Sequence, residues 1–233
     1  MKIRIKFAKQ GTMKFIGHLD VMRYFQKAIR RADIDIRYSE GFSPHQIMSF
    51  AAPLGVGLTS NGEYMDIEVH SAPSSEEMKK KLNDTMVEGF TVLSCRRLPE
   101  GAGNAMSLVD AADYTIRFRK GYEPEDPAAF FDGLAAFCQK PSIPIVKKTK
   151  KGERAMDLKP LIYEFRVLKE EAVPAAFLRV STGSTDNVKP ELVMETYCQE
   201  TGYPYSPIMF EIQREELYAP GFVSLEDLGE IIE

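Results

Sequence analysis

Residues 2–8 read Lys2-Ile3-Arg4-Ile5-Lys6-Phe7-Ala8, with cation and apolar residue alternating at the period of a β-strand. Leu19, Met22, Phe25, Ile29 and Ala32 then recur along residues 18–32 at the spacing of an amphipathic helix. The turn Gly41-Phe42-Ser43-Pro44 leads into a short apolar strand at 46–52, which Pro53 to Gly57 interrupt. Asn61-Gly62 is a turn signal, and residues 63–70 alternate again behind it. Ser74 and Glu77 form a capping box, opening a helix to residue 86 with Met78 and Leu82 inward. Residues 89–97 are a further strand. Strand, helix, strand, strand, helix, strand is the order of a ferredoxin-like unit, an antiparallel sheet with helices on one face.

The order nearly repeats. Residues 99–112 are rich in small residues and are expected to link a first domain, 1–98, to a second, 113–233. In the second, 113–119 alternate as a strand, and Asp126-Pro127 opens a helix that Pro141 stops. Residues 143–147 and 154–158 suit the arms of a hairpin around Lys147-Lys148-Thr149-Lys150-Lys151-Gly152. Strands follow at 161–168 and 175–181, a helix from Pro190 to Cys198, and a strand at 207–214. The expected fold class is therefore α+β: two βαββαβ units in tandem, with a basic hairpin inserted in the second. Ser224 is placed to cap a short acidic tail helix at 224–232.

Composition bounds the function. The 233 residues are 44% apolar and 27% charged, the balance of a globular protein and not of a disordered one. No apolar run approaches the roughly 20 residues needed to span a bilayer. The alternating start is unlike a signal peptide, and Cys95, Cys138 and Cys198 are spaced as reduced thiols are, so a cytoplasmic location is expected. There is no CxxC or CxxxCxxC, P-loop, GxGxxG or GxSxG. No cofactor is expected in this chain.

Charge is uneven. Residues 1–50 hold ten Lys/Arg and four Asp/Glu, residues 140–154 hold six and one, and residues 191–233 hold one and ten. A basic front suits a polyanion or an acidic partner, while an acidic back solvates or repels. Arg23, Lys27 and Arg30 fall on one helix face with Arg31 beside it, a row of cations matched to phosphates along a strand. Lys147, Lys148, Lys150 and Lys151 form the second basic group. The alternatives are a solvated helix face and an edge-strand device against aggregation. His18, with Asp20 close by, opens the first helix, and His45 follows the Gly41-to-Pro44 turn. They are candidates for acid–base chemistry, a metal, ligand contact or a structural role.

These segments resemble a known family. Phe7-Ala8-Lys9-Gln10-Gly11, Phe15-Ile16-Gly17-His18-Leu19-Asp20, Arg30-Arg31-Ala32, Tyr38-Ser39-Glu40-Gly41-Phe42-Ser43-Pro44-His45, Ser49-Phe50-Ala51-Ala52-Pro53-Leu54-Gly55-Val56-Gly57 and Glu63-Tyr64-Met65-Asp66-Ile67 are similar to the radical-SAM-linked proteins, a bacterial family of uncharacterised function. The likeness continues more loosely through Lys150-Lys151-Gly152 and Asp157-Leu158-Lys159-Pro160. His18, Asp20, Gly41, Pro44 and His45 match the family pattern, and Ser43 stands where Asn is common. The resemblance implies a partner, a radical SAM protein encoded beside or fused to members, in a setting of RNA maturation or modification. It implies no catalytic role for any residue.

Three readings follow. The first is an accessory module that binds RNA for a radical SAM enzyme, without catalysis of its own. The second is a protein–protein adaptor whose basic face meets an acidic enzyme. The third is an RNA-processing enzyme using His18 and His45 as acid and base.

Overall fold

The structure is a computed structural model that describes residues 1–149, 152–169, 173–183 and 186–233, the side chains of 147–149 excepted. The chain runs β1 (Lys2–Lys9), α1 (His18–Arg31), β2 (Met48–Phe50), β3 (Thr59–Glu68), α2 (Ser75–Asn83), β4 (Phe90–Arg97), α3 (Ala105–Leu108), β5 (Ala111–Phe118), α4 (Pro127–Cys138), β6 (Pro144–Thr149), β7 (Gly152–Asp157), β8 (Ile162–Leu168), β9 (Ala175–Ser181), α5 (Pro190–Thr201), β10 (Phe210–Ala219) and β11 (Val223–Ser224). Two compact units result: Met1–Asp110 with Arg214–Glu233, and Ala111–Gln213. The fold is mixed α+β with mainly antiparallel pairing. No helix among the described residues is long and apolar enough to cross a membrane.

In the first unit β1 lies between β3 and β4, and β2 pairs with β3. The alternation in β1 sends Ile3, Ile5 and Phe7 to one face, where Val21, Phe25 and Ile29 of α1 and Met78 and Leu82 of α2 cover them. Phe7 meets Phe25, Phe50 and Phe90 at ring-centroid distances of 4.6, 6.1 and 6.3 Å. Burying one such aromatic stabilises by roughly 1.5–3 kcal/mol, so this cluster sets where α1 lies. Ser74 caps α2 as its sequence predicts, accepting from the Glu77 amide at 3.2 Å.

The opposite face of β1 carries its cations, and Arg4 among them is buried. Its guanidinium donates to both carboxylate oxygens of Asp66 at 2.8 and 3.0 Å and to the Leu225 carbonyl at 3.0 Å. The Ala105 amide donates to the same Asp66 carboxylate at 3.0 Å. Two segments read as periphery, the linker and the tail, thus cover this face. The linker contains α3, and β5 begins within it at Ala111. The expected tail helix is a 3-10 turn at Leu225–Leu228 followed by extended chain, and Ile232 exchanges hydrogen bonds with Ser75 at 2.9 Å. Residues 214–233 accordingly belong with the first unit, whereas the sequence reading assigns them to a domain at 113–233.

Asn61-Gly62 is likewise not a turn. β3 runs straight through it, because a Cβ at Gly62 would lie 2.5 Å from the Glu215 carbonyl oxygen. Glycine is required there by a passing backbone.

In the second unit β9 lies between β5 and β8. α4 buries Phe130, Phe131, Leu134 and Phe137, and α5 buries Val193, Met194, Tyr197 and Cys198. Asp126 caps α4, accepting from the Ala129 amide at 2.9 Å. β6 and β7 form the expected hairpin as a separate two-stranded sheet, with Lys147 opposite Arg154 and Lys148 opposite Glu153.

Removing one partner of a buried pair leaves the other charge uncompensated. Asp66→Ala is expected to lower unfolding free energy by about 3–5 kcal/mol, read from the urea midpoint. A loss under about 1 kcal/mol, the size for an exposed pair, would contradict the role given to Arg4.

Candidate functional site

The exposed side of α1 carries the row of cations. Arg23, Lys27, Arg30 and Arg31 are all exposed. Arg23 reaches Asp20 at 3.4 Å with both side chains largely in solvent, a pair of little energetic weight. Arg31 donates to the Thr85 carbonyl at 3.2 Å and lies over the Tyr24 ring. Among the described residues, Lys27 and Arg30 have no ion-pair partner.

A loop is fastened beside this row. Tyr38 and Gln46 close it as an isolated bridge, and the Gln46 side chain donates to the Gln26 carbonyl at 3.2 Å, one residue from Lys27. At the tip, Gly41 takes a φ of +107°, open to glycine and costly for other residues. Phe42 beside it is fully exposed, burying none of its ring. Burying apolar area is what ordinarily fixes a Phe, so an entirely wet one is informative. Phe15, Leu19 and Val56 are exposed as well. Lys14 lies 5.3 Å from the centre of the Phe15 ring, and its carbonyl accepts from the Gly57 amide at 2.7 Å.

The residues considered for acid–base work each have contacts of their own. His18 sets its ring edge-on to Phe50 at 5.2 Å. Asp20 turns to Arg23. His45 is exposed, its Nδ1 2.9 Å from the Ser39 hydroxyl, so it closes the loop. Among the described residues no hydrogen bond joins His18, Asp20 and His45, and no three His, Cys, Asp or Glu side chains are grouped to hold a metal. Of the lysine group, Lys147 and Lys148 are placed by their backbone in β6, while Lys150 and Lys151 lie outside the described residues.

Sequence reasoning missed a buried charge cluster beneath the first turn of α1. Lys9, Glu63 and Arg214 are 2, 6 and 4% exposed. Arg214 donates to Glu63 and to the Ala52 carbonyl, each at 2.9 Å. Lys9 and Glu63 line a cavity of about 10 Å³ with His18, Phe7, Phe50 and Pro53, room for a single water. Burial lowers the Lys9 pKa, with Glu63 opposing and Arg214 reinforcing the shift. One signal was available: Arg214 is the sole cation among the ten acids of residues 191–233.

Residues 2–190 match the family described as uncharacterised protein conserved in bacteria, DUF2344. The chain belongs to that family. No curated protein matches it. Among solved structures it is similar to a chain of a Cbf5-Nop10-Gar1 complex, at 10% identity and a TM-score of 0.47, over 92% of this chain and 48% of that one. It thus spans about half the length of that relative. It is also similar to an unknown protein from Galdieria sulphuraria, at 13% identity and a TM-score of 0.26, over 92% of this chain and 96% of that one.

The cysteines lie in the interiors. Burial pushes Cys95 and Cys138 up to about 12 and Cys198 up to about 11, because a thiolate is poorly solvated there. At pH 8 a thiol reagent is expected to label none of the three in the native protein and all three in urea. The unfolded chain ionises these thiols from their usual value of 9.0, so stability is retained below that pH and declines as pH rises toward 12. Rapid native labelling at pH 8 would contradict this placement.

Proposed function

We propose that this chain is an accessory module that binds single-stranded RNA along α1 and serves a radical SAM enzyme. The observation carrying the RNA reading is the juxtaposition at Gln26: a fully exposed Phe42 on a loop fastened beside Lys27 and Arg30, which have no ion-pair partner among the described residues. Proteins that hold single strands combine cations that track the backbone with aromatic rings on which bases stack. The lysine hairpin of the second unit is proposed as a further contact. The radical SAM partnership rests on the sequence resemblance alone. A cytoplasmic site of action is part of the proposal, supported by three unpaired thiols.

A ferredoxin-like reading of both units is also part of it. Supporting it are the strand order β4-β1-β3 with β2 on β3 in the first unit, and β5-β9-β8 in the second. Fold carries no function by itself. The adaptor reading draws on Phe15, Leu19 and Val56, apolar side chains at the end of α1 that a protein partner would cover. The separate contacts of His18 and His45 favour no acid–base pair.

Binding of total cellular RNA at two salt concentrations tests the proposal. Affinity is expected to fall by about 0.7 log units per log unit of salt for each phosphate neutralised. Arg23→Glu/Lys27→Glu/Arg30→Glu should lower that slope by about 2. Phe42→Ala should cost about 1–3 kcal/mol of binding and leave the salt slope intact. Absence of binding at low salt would overturn the RNA reading and leave α1 to a protein partner.

A further inference from the structure

The β6–β7 hairpin of the second unit is an unfinished sheet. Among the described residues β6 and β7 pair with each other alone, and Pro144, Val146 and residues 152–155 are exposed. A two-stranded hairpin standing by itself in water is marginal, and a third strand or a packed helix is what ordinarily secures it. The Leu158 amide donates to the Ile143 carbonyl at 2.9 Å, and this bond sets the alternation of the ladder. Ile145 and Lys147 turn their main-chain groups toward β7, while Val146 and Lys148 send N–H and C=O outward. Beside that outer edge runs a groove of about 800 Å³, with Pro144 and Val146 on one wall and Leu192, Glu195, Thr196 and Gln199 of α5 on the other. No β7 residue lines it, so it follows the edge of β6 and not a face of the hairpin.

α5 gives the groove its charge. Glu195 has no ion pair among the described residues and accepts from the Gln199 side chain at 3.3 Å. Glu191, one turn earlier, has no described ion pair either, and its Oε2 is buried without a described hydrogen-bond partner. Burial, with the carboxylates of Glu195 and Glu191 nearby, pushes the Tyr205 hydroxyl up to about 12. A wall of this sign repels phosphate and attracts ammonium or guanidinium groups. We infer that the groove receives an extended segment of a partner protein, which adds to β6 as a third strand and carries lysine or arginine among apolar residues. The segment is about six residues long, the length of β6. Its main chain pairs with Val146 and Lys148, which gives affinity. Its apolar side chains lie between Val146 and Leu192 and its basic ones reach Glu195, which gives specificity. The inference rests on neither the RNA reading nor the radical SAM partnership.

A library of randomised peptides displayed on phage, selected on the intact chain, supplies the probe. The enriched sequences are expected to alternate apolar residues with lysine or arginine, and their binding should slow amide hydrogen exchange at Val146 and Lys148. Val146→Pro removes an outward amide without touching a hydrogen bond to β7, and should weaken the selected peptides about 10-fold. Glu195→Lys, on the groove side of α5, should weaken them by a similar factor and covers failure of the first variant to fold. Glutamate in place of the basic residue of the peptide should restore binding to Glu195→Lys. No enriched sequence, enriched sequences without basic residues, or equal affinity for the wild type and Glu195→Lys would overturn the proposal. Concentration-dependent dimers lost in Val146→Pro would make the occupant a second copy of this chain, and displacement of the peptides by RNA would make it a nucleic acid. Either result would overturn the partner segment.

Discussion

The buried pair of Arg4 and Asp66 is the constraint on which the first unit depends. A guanidinium and a carboxylate withdrawn from water lose several kcal/mol of solvation each, and their attraction offsets this only when the remaining donors and acceptors are filled. Here they are filled by segments remote in sequence: the Leu225 carbonyl, 221 residues from Arg4, and the Ala105 amide, 39 residues from Asp66. The pair therefore selects which chain segments may close the second face of β1 and β3. A hydrophobic pair would close it with less directional demand. With that face occupied and the first covered by α1 and α2, the solvent side of α1 is left for display.

The acidic C-terminal stretch acquires a different meaning once its partners are seen. Taken as composition, residues 191–233 look like a surface that solvates or repels. In the structure Glu216 and Glu226 are drawn to Lys6 at 2.7 and 3.1 Å, Glu216 accepts from the Tyr64 hydroxyl at 2.5 Å, and Arg96 approaches Glu226 at 3.5 Å. Burial and the neighbouring Glu216 carboxylate together hold the Tyr64 hydroxyl well above its ordinary pKa. Part of the basic front and part of the acidic back thus neutralise each other inside one unit. Lys27 and Arg30, which have no ion-pair partner among the described residues, are wet and screened by salt.

What was legible in the sequence follows from the range of the signal. α1, α2 and the Ser74 cap of α2 were read to within a few residues, because periodicity and a Ser-to-Glu spacing are local. The exposed cations of α1 were legible for the same reason. The burial of Arg4 was not legible, because alternation names a face without saying what covers it. Asn61-Gly62 was misread because the reason for Gly62 is the backbone at Glu215, more than 150 residues away. Phe42 stands in the sequence only as part of the Gly41-to-Pro44 turn, and full exposure of a ring leaves no local signal. Lys9, Glu63 and Arg214 form a cluster only through strand pairing and burial, and the isolation of Arg214 among acids was the one trace of it.

The central claim is that single-stranded RNA lies along α1 with a base against Phe42. Photo-crosslinking of a 4-thiouridine-containing RNA pool to the intact chain, followed by mass spectrometry of the joined peptides, tests it most directly. Crosslinks are expected within residues 38–46 and along His18–Arg31. Crosslinks confined to the acidic segment 191–233, or none at low salt, would contradict it.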